Sequence, residues 1–198
     1  MAEALMKLLA FILLSTIAAM GQQLSGDALV RALQQGGYVI VMRHASSPRE
    51  VPDKAAANPD NTKPERQLDT AGRASATAFG KALRDLKIPI GEVLSSPTYR
   101  ALETAKYAQF PKPQEAPELG ENGQSMAGGT AAQAAWLQKR VTQMPKGANT
   151  ILITHLPNLT GAFPQFAQGV ADGEALIFAA NTALVARIKI EDWEKLAK

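Results

Sequence analysis

Two apolar, largely β-branched runs constrain the fold of this chain more than any other feature. They are residues 38–42 (YVIVM) and 150–154 (TILIT). Neither run alternates apolar with polar residues, and an unbroken apolar run of this length is typical of a strand buried on both faces. The chain is therefore expected to contain a sheet that is covered on both sides.

Helical patterns separate these runs. Ser25 opens an amphipathic stretch that Gly36 and Gly37 end, and Asp69 caps a second stretch that reaches Leu86. Further helices are predicted over residues 97–108, with Pro97 in the first turn, and over residues 131–144. Further strands are predicted over residues 88–94, 175–178 and 183–190, the last of them at a sheet edge. Loops are predicted over residues 45–67 and 110–130. Strands alternating with helices predict an α/β, three-layer sandwich with a largely parallel central sheet flanked by helices.

Polar side chains follow three of the predicted strands. Arg43 and His44 follow the first run, Arg100 lies shortly after the strand at 88–94, and His155 follows the run at 150–154. In parallel sheets the active site forms beyond the carboxyl ends of the strands. These residues are therefore expected to meet at one edge of the sheet, and two imidazoles beside two arginines suit an anionic ligand such as phosphate.

Composition excludes several function classes. The chain has no cysteine, which rules out disulfides, thiolate zinc sites and cysteine nucleophiles. A net charge of +3, without a run of basic residues interleaved with aromatics, does not predict nucleic-acid binding. No carboxylate-rich magnesium motif and no Gly-x-x-x-x-Gly-Lys loop is present.

The first residues have the pattern of a secretory signal peptide. Lys7 precedes an apolar run over residues 8–20, and Ala19-Met20-Gly21 fits a small-x-small cleavage site. An uncleaved membrane anchor is the alternative, but the run falls short of the ~20 residues of a spanning helix. We expect residues 1–21 to be a leader, residues 22–198 to be one domain, and the mature protein to be periplasmic or secreted without stable membrane insertion.

The motifs together resemble the histidine phosphatase superfamily, branch 1, which also contains the cofactor-dependent phosphoglycerate mutases. The resemblance rests on VMRHA at residues 41–45, LDTAGR at 68–73, LSSPTYRALETA at 94–105 and ITH at 153–155. It covers nearly the whole mature chain in order, and the Ser-Ser-Pro-x-x-Arg-Ala-x-x-Thr-Ala stretch is its most specific part. The resemblance implies a phosphatase that needs no metal and no other cofactor, and the leader-like N-terminus implies that it is exported.

The resemblance assigns a role to each strand-end residue. His44 would attack phosphorus and form a labile phosphohistidine. Arg43 and Arg100 would bind the phosphoryl oxygens, because arginine presents planar forked donors. His155 would be a further catalytic and phosphate-binding residue, donating a hydrogen bond, in protonated form if its surroundings allow.

Two further roles are assigned by resemblance. A general acid usually follows the second motif in a Leu-x-Glu context, which makes Glu121 the first candidate and Glu118 and Glu174 its rivals. Some members lack this acid and act on good leaving groups such as phosphohistidine. Asn158, close behind the second histidine, is expected to bind phosphate or orient His155. The family usually has glycine at the position of Ala45.

The predicted function is phosphomonoester hydrolysis outside the cytoplasm. The alternatives are a phosphate-ligand binding protein with lost turnover and a mutase, against which the leader argues because glycolytic substrates are cytosolic. The partner is a small phosphorylated substrate. An envelope phosphosugar is suggested by analogy with a periplasmic heptose phosphatase of the superfamily. The sequence makes no prediction of oligomeric state.

In the loop over residues 45–67, Asn58 and Asn61 are available to help bind phosphate.

Overall fold

The computed structural model describes residues 23–121 and 128–198, so the predicted leader lies outside the described residues. Six helices and six strands follow one another in these residues. In chain order they are α1 Gly26–Gln35, β1 Val39–Arg43, α2 Thr70–Asp85, β2 Ile90–Ser95, α3 Tyr99–Tyr107, β3 Gln114–Glu115, α4 Gly129–Arg140, β4 Asn149–Thr154, α5 Leu156–Ala162, β5 Ala175–Phe178, β6 Leu184–Ile188 and α6 Trp193–Leu196. Short 3₁₀ turns cover Pro117–Leu119, Ala180–Thr182 and Ile190–Asp192.

The strands form one mixed sheet in the order β3-β2-β4-β1-β5-β6. Strands β1 to β4 pair in parallel, whereas β5 and β6 are antiparallel to their neighbours. This confirms the α/β fold with a largely parallel sheet and the edge position of the last long strand. The sequence patterns missed β3, α5 and α6, which are too short to show a helical or strand period.

Residues of β1 point alternately to two apolar layers. Ile40 and Met42 pack in a cluster with residues of α1, α2, α3 and α6. Val39 and Val41 pack in a second cluster with residues of α4 and α5. Both faces of the strand are therefore buried, which is why its sequence shows no polar alternation.

The start of α2 lies directly against the loop that follows β1. Asp69 caps the helix by accepting a hydrogen bond from Gly72 N (2.6 Å), and its other carboxylate oxygen accepts one from Ser46 Oγ (2.7 Å). A Cβ atom on Gly72 would lie 2.1 Å from Ser46 O. Glycine at this position therefore allows the helix to hold the backbone just after His44.

Among residues 23–121 and 128–198, no helix combines the length and apolar character needed to span a bilayer.

Candidate active site

The sheet topology brings the predicted strand ends together. Strand β4 lies between β1 and β2, and Arg43 pairs in register with Thr154. Each histidine is the first residue after its strand, so the two imidazoles emerge side by side, with ring centroids 5.2 Å apart. This confirms the expected meeting of His44 and His155 at one edge.

The contacts of His44 select one tautomer. Its ring is buried, and Nδ1 lies 2.8 Å from the carbonyl oxygen of Ala45, which can only accept a hydrogen bond. On the other side Arg100 Nε donates to Nε2 at 3.2 Å. The hydrogen therefore belongs on Nδ1, and Nε2 keeps its lone pair. Burial lowers the pKa of His44 to about 3, and the charge of Arg100 acts in the same direction, so the ring is neutral.

His155 has the opposite tautomer. Arg100 Nη2 lies 3.1 Å from Nδ1, which must accept because arginine can only donate. Nε2 therefore carries the hydrogen and donates it to Ser96 Oγ at 2.8 Å, with Thr98 Oγ1 at 3.3 Å. Burial, followed by the proximity of His44, lowers the pKa of His155 to about 2.

The neutral state of His155 refines its predicted role. In this arrangement Nδ1 accepts a hydrogen bond from Arg100 and carries no hydrogen that it could donate to a phosphate. Donation to an anion from that atom requires His155 to take up a proton. A bound dianion would favour this because an opposite charge nearby stabilises imidazolium.

Arg100 is the centre of the hydrogen-bond network in the site. It lies at the second position of α3, is buried, and contacts both imidazoles. Its Nη2 also lies 2.5 Å from Glu121 Oε2. The helix begins at Tyr99 after Thr98, so the prediction that Pro97 occupies the first turn was wrong. Pro97 precedes the cap, where Ser96 Oγ instead accepts a hydrogen bond from Thr98 N at 3.2 Å.

Arg43 reaches the same pocket from the end of β1. Its Nη1 donates to Val170 O at 3.1 Å, and its Nη2 lies 2.6 Å from Asp172 Oδ1. These two contacts anchor one side of the guanidinium group to the loop before β5. The side chain is half-buried and lines the pocket that contains both histidines.

Of the three candidate acids, the structure brings Glu121 into the pocket. Glu118 lies on the preceding 3₁₀ turn and does not line this pocket. The carboxylate of Glu174 is buried elsewhere, in an ion pair with Arg187 and a 2.8 Å hydrogen bond from Ala171 N. Glu121 is therefore the carboxyl group placed to reach a bound phosphoryl group.

Asn158 occupies a different position from the one expected. It is buried, and its side-chain amide donates to Gly120 O at 2.7 Å and to Thr154 Oγ1 at 2.9 Å. Gln133 Nε2 also donates to Gly120 O, at 3.0 Å. The predicted phosphate contact of Asn158 is therefore corrected: its amide is occupied in holding the backbone just before Glu121.

The two loop asparagines are also occupied away from the pocket. Asn58 Nδ2 donates to the buried carboxylate of Glu103 at 2.7 Å, and Asn61 Nδ2 donates to Glu65 O at 2.9 Å. Both side chains fold the loop over residues 45–67 onto itself and onto α3. Neither lines the pocket of the two histidines.

Sequence reasoning missed two arginines of that loop. Arg49 and Arg66 both line the pocket. The loop has no periodicity from which its path could be predicted. The available signal was position: Arg66 lies three residues before the helix cap Asp69, which itself is bonded to the residue two places after His44.

The pocket has a volume of about 330 Å³ and is rich in positive charge. It is lined by Arg43, His44, Arg49, Arg66, Glu121, His155, Leu156 and Pro157. Arg100 lies beneath it, bonded to both imidazoles and to Glu121. Such a set of donors can bind a phosphoryl group on several oxygens at once, beside the His44 ring that lines the same space.

Comparison with known proteins supports the resemblance seen in the sequence. Residues 39–151 match a family model described as the histidine phosphatase superfamily (branch 1). This segment includes Arg43, His44, Arg100 and Glu121 and ends before His155. A comparison with curated protein sequences gives no significant match.

Solved structures with the same fold include the protein histidine phosphatase SixA complexed with tungstate. It is 18% identical, with a TM-score of 0.56, over 78% of this chain and 98% of that one. Rv3214 from Mycobacterium tuberculosis is 14% identical, with a TM-score of 0.51, over 77% and 95% of the two chains. TTHB049 from Thermus thermophilus is 16% identical, with a TM-score of 0.51, over 77% and 99%. At these identities the likeness is one of fold.

Proposed function

The chain belongs to branch 1 of the histidine phosphatase superfamily, and we propose that it hydrolyses phosphate monoesters through a phosphohistidine formed on His44. The observation that carries the proposal is the state of the His44 ring. Its Nδ1 hydrogen is donated to Ala45 O, so Nε2 carries the lone pair, which accepts a hydrogen bond from Arg100 Nε and becomes available to phosphorus when a phosphoryl oxygen takes that donor. A neutral imidazole in this orientation is a nucleophile ready for phosphorus.

In the first step, His44 Nε2 forms a bond to phosphorus as the ester P–O bond breaks. The transition state carries negative charge on the equatorial oxygens, so positioned cations lower its energy. Arg43 and Arg100 supply these charges from fixed positions. A bound phosphate replaces Glu121 as the partner of the Arg100 guanidinium, because the oxygens of both groups compete for the same donors.

Glu121 handles the proton in both steps. In the first step Glu121 acts as the general acid and supplies a proton. The leaving oxygen takes this proton as the ester bond breaks. In the second step the Glu121 carboxylate accepts a proton from water as the water oxygen attacks phosphorus. The P–N bond breaks, the electron pair returns to Nε2, and phosphate departs.

The acid in the pocket favours ordinary esters over phosphohistidine as the substrate class. An alkoxide is a poor leaving group and needs protonation, whereas the imidazole of phosphohistidine leaves readily. The SixA structure is that of a protein histidine phosphatase. Because Glu121 reaches Arg100 and lines the pocket, this chain is equipped for the more demanding alkyl esters.

We predict that Glu121→Gln lowers activity selectively. Hydrolysis of an alkyl phosphate should fall by about 10²- to 10⁴-fold, the range of general acid catalysis. Hydrolysis of para-nitrophenyl phosphate should fall far less, because nitrophenolate leaves without a proton. The measurement is kcat/KM of leaderless protein over alkyl, aryl, sugar and phosphohistidine substrates.

Glu118→Gln is the matched control, since it makes the same charge change three residues away but outside the pocket. Equal losses in the two variants, or an equal fall for alkyl and aryl esters, would remove Glu121 from this role. Binding of phosphate or vanadate with no turnover of any substrate would instead favour a binding protein.

We further propose that the protein acts outside the cytoplasm, on phosphoesters such as envelope phosphosugars. The support is the leader-like sequence over residues 1–21. When the full chain is expressed in a bacterium, mass spectrometry of the product should place the new N-terminus near Gly21 and fractionation should recover it from periplasm or medium. An intact N-terminus in a cytoplasmic fraction would disprove export.

A further inference from the structure

Two arginines in the pocket lie beyond the set that the phosphoryl group requires. Arg43, Arg100 and the two histidines already form the proposed cradle. Arg49 and Arg66 approach the same space from the loop over residues 45–67. These two arginines are therefore placed to contact a part of the substrate other than the phosphoryl group that is cleaved.

Arg66 is a fixed part of this loop. Its Nε donates to Pro48 O at 2.6 Å, and its Nη2 donates to Ser47 O at 3.1 Å. Both acceptors immediately precede Arg49 in the chain. Arg66 therefore holds the backbone that leads into Arg49, and both side chains line the pocket.

The charges of the pocket are unevenly compensated. Arg43 is paired with Asp172 and Arg100 with Glu121, and both imidazoles are neutral. Within the described part of the chain, Arg49 and Arg66 have no carboxylate at ion-pair distance, and Arg66 bonds only neutral carbonyl oxygens. Burial lowers the pKa of Arg66, the charges of Arg100 and Arg49 act in the same direction, and the charges of Glu121 and Asp172 oppose them.

We propose that Arg49 and Arg66 form a second anion subsite, so that the preferred substrate carries a carboxylate or a second phosphate beside the phosphoester that is cleaved. This inference rests on the proposed function, which places the phosphoryl group to be cleaved in the cradle of Arg43, Arg100 and the two histidines. A guanidinium group binds either oxyanion through its forked donors. A second anion would compensate the positive charge that remains when the phosphoryl group occupies the cradle.

The test compares three aryl esters on one frame: phenyl phosphate, para-carboxyphenyl phosphate and hydroquinone bisphosphate. Aryl esters depend less than alkyl esters on protonation of the leaving oxygen by Glu121. Wild-type kcat/KM should be at least about tenfold higher for one of the doubly anionic esters, the effect of one charge-assisted hydrogen bond. Whether the carboxylate or the phosphate gains more identifies the natural group.

The variants Arg49→Gln and Arg66→Gln should each remove most of this preference. Arg31→Gln is the matched control, since it makes the same charge change on α1, whose residues do not line the pocket. A wild-type protein without preference, or an equal loss in Arg31→Gln, would overturn the subsite. Arg49 is exposed on the loop, so its variant tests the idea even if Arg66→Gln disturbs the loop.

A binding measurement separates this inference from the proposed function. Calorimetry should give phosphonoacetate about tenfold tighter binding than methylphosphonate, with the advantage lost in Arg49→Gln. That result would support the subsite even if no ester were hydrolysed. Equal affinities for the two phosphonates in the wild type would reject it even if hydrolysis were observed.

Discussion

His44→Asn is expected to lower phosphatase activity by on the order of 10³-fold or more, since it removes the atom that is proposed to attack phosphorus. The asparagine amide can still donate a hydrogen bond to Ala45 O, so we expect the backbone after β1 to keep its conformation. The measurement is kcat for para-nitrophenyl phosphate, with circular dichroism and thermal unfolding to establish that the variant is folded.

The two histidines of the chain provide an internal control for the covalent step. Rapid quenching with a labelled substrate should trap an acid-labile phosphoryl group on the wild type. The label should persist, formed more slowly, in His155→Asn and be absent from His44→Asn. Labelling of His44→Asn, or wild-type turnover by that variant, would exclude His44 as the nucleophile.

Arg100→Lys is expected to lower kcat by roughly 10²- to 10³-fold, the cost of losing a preorganised donor to the transition state. The guanidinium of Arg100 contacts both imidazoles and Glu121 at once. A lysine ammonium is a single point charge and cannot span these three directions. The measurement is the pair kcat and KM, together with the affinity for vanadate.

Arg140→Lys is the matched control for this substitution. Arg140 is also a largely buried arginine in an ion pair, with Glu92, but it lies on α4 and does not line the pocket. Its activity should stay within about twofold of the wild type. A similar loss in both lysine variants would mean that Arg100 acts through stability alone.

The resting state of the pocket explains how binding and catalysis can be linked. Both imidazoles are neutral because they are buried beside arginines, and Glu121 occupies Arg100. In the proposed mechanism, a phosphate dianion would replace the carboxylate at Arg100 and stabilise a proton on His155. His44, the proposed nucleophile, stays neutral at ordinary pH because burial, with Arg100 close by, holds its pKa far below 7.

Much of the central fold follows from sequence pattern. The apolar runs predicted β1 and β4, and the capping residue Asp69 marked the start of α2, because burial on both faces and helix capping leave strong local signals. The short elements β3, α5 and α6 left none. The first turn of α3 was placed two residues early, since a proline suits either the turn before a helix or its first residues.

Some residues of the candidate site could be predicted from the sequence and others could not. Arg43, His44, Arg100 and His155 could be predicted because each lies at or near a strand end, and strand order brings such ends together. Asn158 could not, because its partner is a backbone carbonyl in a distant loop. Arg49 and Arg66 could not either, since their loop is shaped by side-chain contacts without any period.

The sequence by itself predicted that two histidines and two arginines would meet at the edge of a covered sheet, because strand burial follows from the apolar runs and parallel pairing from the alternation of strands with helices. Only the tertiary structure decided which nitrogen of each ring carries the hydrogen, which glutamate enters the pocket and which further arginines join it. These properties depend on hydrogen bonds and charges between segments far apart in the chain, which no local pattern records.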